Sequence, residues 1–215
     1  MLRIEGLDVS IASVGILRGV NMDVPTGKFA GLIGRNGAGK TTLMRSVMGI
    51  LPPRNGSISF DGSPLGKTPV HQRARNGIGY MPEDRRLVPS LTVEENVLIP
   101  AWSAGVADTR ARLAEVYKMI PEVEAFADRK ALQLSGGQQK LVALARALMC
   151  GTKLLLLDEP FEGVAPVLAK RLAEVIAQLR QRGLSIMLTE SDLSHSREML
   201  DVIYSIDRGQ VTVVG

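Results

Sequence analysis

A glycine-rich segment near the start of the chain has the residues and spacing of a phosphate-binding loop. Residues 34–41 read Gly-Arg-Asn-Gly-Ala-Gly-Lys-Thr and match the pattern G-x-x-x-x-G-K-[ST], between a predicted strand and a predicted helix. The glycines let successive backbone amides point at phosphate oxygens, and the following helix adds the positive end of its dipole. We expect Lys40 to bridge the β- and γ-phosphates, Thr41 to give a hydroxyl to Mg²⁺ and Thr42 to contact the α-phosphate. The positions expected to surround the phosphates are Gly34, Arg35, Asn36, Gly37, Ala38 and Gly39.

Two adjacent acids, Asp158 and Glu159, directly follow an apolar run at residues 154–157. A short run that is apolar throughout is typical of a strand buried on both faces, and ligands of open parallel sheets lie at the carboxyl ends of such strands. We expect Asp158 to hold Mg²⁺ through water and Glu159 to polarise the water that attacks the γ-phosphate. Two acids in this position could also be a solvated pair that caps the next segment. The phosphate loop in the same chain favours the catalytic interpretation.

A second anion site is predicted at residues 134–139, which read Leu-Ser-Gly-Gly-Gln-Gln. Ser135 is a residue type that caps helices, and Gly136 and Gly137 leave the amides of the first turn open beside Gln138. An ordinary capped helix could have the same sequence. With the helix-end site, one small domain would carry two segments that can each bind a phosphate. We therefore infer that each chain contributes half of two composite sites.

The composition is typical of one folded domain with a small insertion. Of 215 residues, 45% are hydrophobic and 22% charged, which excludes a disordered protein. The net charge is +4, the basic residues are scattered and aromatics make up 4%, so we expect no nucleic-acid partner. Cys150 is the only cysteine, which excludes a disulfide framework and predicts a buried thiol in a reducing cytoplasm. We expect neither a membrane span, which needs ~18 apolar residues, nor a secretory leader.

Short apolar runs alternate with helical patterns and predict an α/β fold with a largely parallel sheet. Between about residues 90 and 133 glycine becomes rare and helix formers dominate, which we interpret as an inserted helical subdomain. Predicted strands cover 20–24, 29–33, 57–60, 78–81, 153–157, 185–189, 202–206 and 211–214, and predicted helices cover 43–50, a segment from 137 onward and 166–182.

The phosphate loop, the Leu-Ser-Gly-Gly-Gln segment and the Leu-Leu-Leu-Leu-Asp-Glu-Pro segment, in this order, resemble the nucleotide-binding domain of ATP-binding-cassette (ABC) proteins. The resemblance covers essentially the whole chain. It implies a single domain, residues 1–215, with a P-loop NTPase core of mainly parallel sheet, an antiparallel β subdomain and a helical insert. It also implies that two such domains bind two ATP molecules head to tail, so that Ser135 and Gly137 face the γ-phosphate held by the partner chain.

Two longer segments, 80–97 and 158–166, are similar to one ATPase of branched-chain amino acid (Liv-type) importers and to its urea and amide relatives. The similarity implies an ATP-hydrolysing importer subunit that acts as a homodimer or as a heterodimer with a paralogous ATPase. It would lie peripherally on the cytoplasmic face of the inner membrane, with integral membrane permease subunits docked on residues 83–102. The best candidates for docking contacts are Leu87, Val88 and Pro89, whereas Val97 and Leu98 are expected in the core of the insert.

Four positions depart from the general family pattern. Ile11 replaces an aromatic residue that stacks on adenine, and it can pack on the base without stacking. Glu83 replaces a glutamine but can still bind Mg²⁺, and Ala165 replaces an aspartate that contacts the partner. Ser191 replaces a histidine that contacts the γ-phosphate, and its hydroxyl can donate a hydrogen bond but cannot carry a proton. His195 is expected to be a surface residue of a solvated helix rather than a substitute for that histidine.

Besides an active importer ATPase, we consider a weak regulatory partner and an ATPase that acts on nucleic acid or ribosomes. In the Liv branch, glutamate at the Glu83 position and residues other than histidine at the Ser191 position both occur, which agrees with an active ATPase. The serine would also suit a catalytically weak, nucleotide-binding partner that regulates an active paralogue. A cassette ATPase acting on nucleic acid or ribosomes usually carries two cassettes in one chain, for which 215 residues leave no room.

Overall fold

The computed structural model describes residues 1–215 as two β-sheets with helices packed around the larger one. All strand pairs of the smaller sheet are antiparallel. Its strands, in spatial order, are β2 (Val14–Val24), β1 (Leu2–Ile11), β4 (Asn55–Phe60) and β5 (Ser63–Pro64).

The larger sheet has six strands, and all neighbours in it are parallel except the last pair, β9 and β10. In spatial order the strands are β10 (Gln210–Val213), β9 (Val202–Asp207), β3 (Phe29–Ile33), β8 (Ser185–Glu190), β7 (Leu154–Asp158) and β6 (Ile78–Met81). Because β3, β8 and β7 are neighbours and parallel, the segments that follow them leave the sheet at one edge. This edge brings the phosphate loop, the acidic pair and Ser191 together.

The central strands β3, β8 and β7 of the larger sheet are buried on both faces, which explains their apolar sequences. Along β7, Leu155 and Leu157 pack into one core with the helices, while Leu154 and Leu156 pack into a second core. The second core lies between the two sheets and includes residues of the helix after the phosphate loop, such as Leu43. Alternate side chains of β7 therefore pack into both cores, which fixes the position of the strand end that carries Asp158.

Seven α-helices connect the strands. They are α1 (Lys40–Val47), α2 (Val70–Arg75), α3 (Val93–Ala104), α4 (Thr109–Met119), α5 (Pro121–Glu124), α6 (Gly136–Cys150) and α7 (Pro166–Leu179). Helix α3 begins at a capping box in which Thr92 and Glu95 satisfy each other's backbone amides, at 3.1 Å and 2.7 Å. None of the helices combines the length and apolar character that crossing a bilayer requires.

The predicted fold class is confirmed, and the differences concern element boundaries and elements that were not predicted. The helix predicted over 43–50 begins at Lys40 and ends at Val47, because the loop glycines lead directly into its first turn. The helix predicted over 166–182 ends at Leu179 and continues as a 3₁₀ turn, and the strand predicted over 153–157 is Leu154–Asp158. Helices α3 to α5 lie in the segment interpreted as a helical insert. Strand β1 was absent from the sequence prediction, and β2 is longer than predicted.

Candidate active site

The phosphate loop connects the end of β3 to the first residue of α1. Gly37 and Gly39 have φ angles of 81° and 117°, in the left-handed region that glycine adopts without a steric penalty. Gly34 is required for a different reason, because a Cβ atom at this position would overlap the backbone oxygen of Ile206. The loop therefore has the backbone shape that the sequence motif predicts.

The Lys40 side chain is buried in the loop that precedes it. Its Nζ donates to the backbone oxygens of Gly34 and Arg35, at 2.5 Å and 3.1 Å. The same Nζ lies 3.0 Å from Glu159 Oε1, and both side chains are about 5% exposed. The ammonium group thus has the Glu159 carboxylate as its counter-charge at the point where the motif predicts phosphate oxygens.

Asp158 is fully buried and is held by three hydroxyl groups. Thr41 Oγ1 donates to its Oδ1 at 3.2 Å, Thr189 Oγ1 donates to the same oxygen at 2.8 Å, and the Tyr80 hydroxyl donates to Oδ2 at 3.3 Å. Burial raises the pKa of Asp158, while the three hydrogen bonds oppose that shift. A nearby divalent cation would favour the ionised carboxylate in the same way as these donors.

The oxygen donors beside the loop fit a hard cation such as Mg²⁺. Glu83 lines the same cavity of about 450 Å³ as Lys40, Thr41 and Glu159. Burial raises the pKa of Glu83, and the negative charges of Glu162, Asp158 and Glu159 raise it further. A bound cation would be stabilising beside Glu83 and Asp158, because negative charges next to these two carboxyls already raise their pKa values. Thr41, Glu83 and Asp158 would hold Mg²⁺, which would supply charge neutralisation at the phosphates.

Glu159 is fixed by its backbone as well as by Lys40. Its φ of 49° lies in the left-handed region, which is strained for a residue other than glycine. The backbone amide of Glu159 donates to Thr189 Oγ1 at 3.1 Å, and its backbone oxygen accepts from Lys140 Nζ at 2.6 Å. Sequence reasoning missed Thr189, Tyr80 and Lys140 as parts of the site. Lys140 offered a signal, because it is one of only two charged residues in α6, the other being Arg146.

Ser191 lies beside the phosphate loop, and its contact with the γ-phosphate stays a prediction. Its hydroxyl is 3.1 Å from Glu159 Oε1, 3.0 Å from Asn36 Oδ1 and 3.5 Å from Lys40 Nζ. His195 lies in an exposed turn and not on the expected helix, since the next regular element is a 3₁₀ turn at Arg197–Met199. The His195 ring packs 5.6 Å from the Phe161 ring.

Ile11 and Ile16 lie on either side of the β1–β2 turn. Ile11 is 42% exposed at the end of β1. Ile16 lines the cavity beside Lys40 and Thr42, and Ile11 is not among the residues lining it. The role of Ile11 at the adenine stays a prediction, and Ile16 is a second apolar candidate that the sequence analysis did not single out.

The Leu-Ser-Gly-Gly-Gln segment begins α6, away from the cavity beside the phosphate loop. Ser135 Oγ accepts from the Gln138 amide at 3.3 Å, and Gln138 Oε1 accepts from the Ser135 amide at 2.9 Å. Ser135 and Gly136 are exposed, whereas at Gly137 a Cβ atom would overlap the Leu168 side chain of α7. The segment is therefore a capped helix end that faces outward, free to meet a ligand held by another chain.

Glu190 is a buried acid beside this site that the sequence analysis did not single out. It ends β8, is 3% exposed and accepts from Ser196 Oγ at 2.5 Å, while its Oε1 has no hydrogen-bond partner. Burial is the main cause that raises its pKa to about 7, and the charges of Glu159 and Asp192 add to the shift.

We expect Glu190→Gln to flatten the dependence of stability on pH. With a pKa of about 7 when folded and an ordinary value of 4.5, Glu190 binds more protons in the folded state between these values. The free energy of unfolding should therefore fall as pH rises from 4.5 to 7, by an amount on the order of 3 kcal/mol at most. Urea unfolding of both proteins at pH 5 and pH 8 measures this. Parallel pH profiles would show that Glu190 is ionised throughout.

The chain is similar to ATP-binding subunits of ABC transporters in both sequence and structure. The family model described as ABC transporter matches residues 17–162. The high-affinity branched-chain amino acid transport ATP-binding protein BraG of Pseudomonas aeruginosa is 33% identical over 99% of this chain and 91% of its own length. The lipopolysaccharide export system ATP-binding protein LptB of Haemophilus influenzae is 32% identical over 100% of this chain and 90% of its own. Among solved structures, the dimeric post-hydrolysis state of the ATP-binding cassette MJ0796 bound to ADP and Pi superposes with a TM-score of 0.88 and 25% identity, covering 98% of this chain and 96% of that one.

Proposed function

The chain belongs to the ABC transporter family of ATP-binding subunits, and from this premise we propose that it is the ATPase of an importer for branched-chain amino acids or related small solutes such as urea or amides. The similarity of residues 80–97 and 158–166 to the Liv branch supports this choice of substrate class. The similarity of the whole chain to BraG, a branched-chain amino acid transport protein, agrees with this choice.

The observation that carries the proposed catalysis is the contact network around Glu159. The carboxylate is held between Lys40 at 3.0 Å and Ser191 at 3.1 Å, at the mouth of the phosphate loop. ATP phosphates would replace Glu159 as the counter-charge of Lys40, which leaves the carboxylate to accept a proton from water. As that water oxygen bonds to the γ-phosphorus, the bond from the γ-phosphorus to the bridging oxygen breaks. Ser191 would donate a hydrogen bond to a γ-phosphate oxygen.

The proposed assembly is a head-to-tail dimer with two composite sites. The outward-facing Ser135 and Gly136 of one chain would meet the γ-phosphate bound by Lys40 of the other. This arrangement agrees with the dimeric form of the related cassette MJ0796. The partner chain would be a second copy or a paralogous ATPase.

Residues 83–102 supply the proposed contact with integral membrane permease subunits, which would hold the protein on the cytoplasmic face of the inner membrane. Val88 is 38% exposed and Trp102 is 59% exposed, while Leu87 is half-buried. Exposed apolar side chains within one segment are a common feature of protein–protein contacts. Val97, by contrast, is fully buried in the core.

The similarity to LptB favours a second candidate, the ATPase of an exporter. The genes that accompany this one distinguish the two functions. The importer predicts neighbouring genes for two multi-span subunits and a secreted solute-binding protein, and their products should copurify with this chain when coexpressed. Copurification with envelope-assembly components instead would overturn the importer assignment.

The identity of the residue at position 191 leads to a prediction for a heterodimer. If the paralogue carries the histidine, its site is the stronger one, and Ser135 of this chain completes that site. The site that carries Ser191 lacks the histidine donor, and losing one transition-state donor typically costs about 10²–10³ in rate. Most turnover of the heterodimer should therefore come from the paralogue's site. We expect Ser135→Arg in this chain, which damages that site, to lower ATP turnover more than Glu159→Gln does. Phosphate release from heterodimers purified with each variant measures the ranking. The opposite ranking would mean that this chain supplies the main catalytic site.

A further inference from the structure

A turn beside Glu83 has an unusual backbone that side-chain contacts with helix α6 hold in place. Arg85 and Arg86, two and three residues after Glu83, have φ angles of 61° and 49°. Two consecutive residues other than glycine in the left-handed region are strained, and such turns persist where the surrounding structure fixes them. The turn at 83–86 therefore needs an external support.

Helix α6 supplies that support through the Arg146 guanidinium. Arg146 Nη1 donates to the backbone oxygen of Arg86 at 2.6 Å, and Nη2 donates to the backbone oxygen of Arg85. The planar fork of an arginine suits two neighbouring carbonyl oxygens, because both donors have a fixed spacing. Partial burial lowers the pKa of Arg146, and the negative charge of Asp84 opposes that shift. The half-buried guanidinium of Arg146 thus donates to the backbone of this turn at two points.

A second contact joins the same turn to the start of α6. Arg85 Nη1 donates to the backbone oxygen of Gly136 at 3.2 Å. The turn that carries Glu83 is therefore attached to the helix of the Leu-Ser-Gly-Gly-Gln segment at two points. On the proposed function, Glu83 serves the ATP site of its own chain, and Ser135 serves the site of the partner.

We propose that Arg146 is a positioning residue that holds the Glu83 carboxylate at the Mg²⁺ position by fixing the strained turn at Arg85 and Arg86. The inference rests on the proposed function, in which Glu83 binds the metal that accompanies ATP. Partners that orient metal ligands commonly contribute 10- to 100-fold to metal affinity. Loss of the guanidinium releases the turn, and Glu83 then spends less time in the position that binds metal.

The test compares Arg146→Met with the wild-type chain in two measurements. Hydrogen exchange of the ligand-free protein should show amides 85–87 exchanging at least tenfold faster in the variant. Titration of Mg²⁺ at fixed ATP should show the half-saturating Mg²⁺ concentration for ATP binding raised by about tenfold, with metal-free ADP binding unchanged. Arg112→Met is the matched control, since Arg112 also donates to a backbone oxygen of α6, that of Leu148, but does not contact the turn.

A second variant separates positioning from general destabilisation. Arg86→Gly removes the strain at one of the two left-handed positions, so the double variant Arg146→Met/Arg86→Gly should recover part of the lost Mg²⁺ affinity. If Arg146→Met does not fold, Arg146→Lys keeps the charge without the fork and should show the same changes at smaller size. Unchanged exchange at 85–87 together with unchanged Mg²⁺ dependence in a folded variant would overturn the inference. If ATP binding to the wild-type chain does not depend on Mg²⁺, the proposed metal role of Glu83 is wrong. The hydrogen-exchange measurement would then test only whether Arg146 stabilises the turn.

Discussion

Replacing Lys40 with alanine is expected to weaken ATP binding by about 100-fold or more. The ammonium lies within the phosphate loop and is almost fully buried, so no other cation can take its place at the β- and γ-phosphates. Each charge-assisted hydrogen bond it makes contributes about 1.5–3 kcal/mol, and two such bonds account for the loss. Isothermal titration of each protein with ATP and Mg²⁺ measures the change.

The exposed Lys67, which makes no ion pair, is the control for the charge change in this experiment. Lys67→Ala should bind ATP as the wild type does. Because Lys40→Ala leaves the Glu159 carboxylate buried without its counter-charge, the variant's folding must be checked by circular dichroism. A folded Lys40→Ala protein with unchanged ATP affinity would contradict the assignment of the loop.

Glu159→Gln is expected to lower the rate of ATP hydrolysis by about 10²–10⁴, the usual contribution of a general base. Glutamine keeps the shape of the side chain but cannot accept the proton of the attacking water. ATP binding should survive, since the phosphate loop and Lys40 are unchanged, and the ATP-bound dimer should therefore accumulate. Phosphate release measures the rate, and light scattering of the eluted protein measures the dimer.

The matched control for this substitution is Glu162→Gln, which neutralises an exposed carboxylate three positions further along. It should change the hydrolysis rate by less than about threefold, because an exposed charge contributes little and Glu162 contacts neither Lys40 nor Ser191. Equal losses from the two variants would mean that charge near the site matters and that Glu159 is not the base.

The sequence was sufficient to predict the parts of the site that lie in continuous motifs. The phosphate loop, the acidic pair and Ser191 each follow a buried strand, and parallel neighbouring strands bring their ends together. The motif alone did not show that Glu159 contacts Lys40, since that contact joins residues far apart in the chain.

The supporting residues could not be predicted because each acts through a contact that only the packed structure creates. Thr189 and Tyr80 reach Asp158 from neighbouring strands, at 2.8 Å and 3.3 Å. The sequence analysis did not single out Arg146, because its contact with a distant turn leaves no trace in the periodicity of α6. The predicted start of helix α1 was also too late. The prediction followed the spacing of apolar residues, and the first turn of α1 carries the polar residues Lys40 and Thr41.

A mixing experiment with two inactive variants tests the central claim of shared ATP sites most directly. Glu159→Gln removes the base from a chain but leaves its Ser135 end intact, and Ser135→Arg does the reverse. In a mixed dimer, the loop and base of the Ser135→Arg chain face the intact segment of the Glu159→Gln chain, so one of two sites is complete. We predict that each variant alone is nearly inactive and that an equal mixture recovers about a quarter of the wild-type rate, as random pairing into symmetric dimers requires. A mixture with no more activity than the separate variants, measured beside an active wild type, would contradict the account.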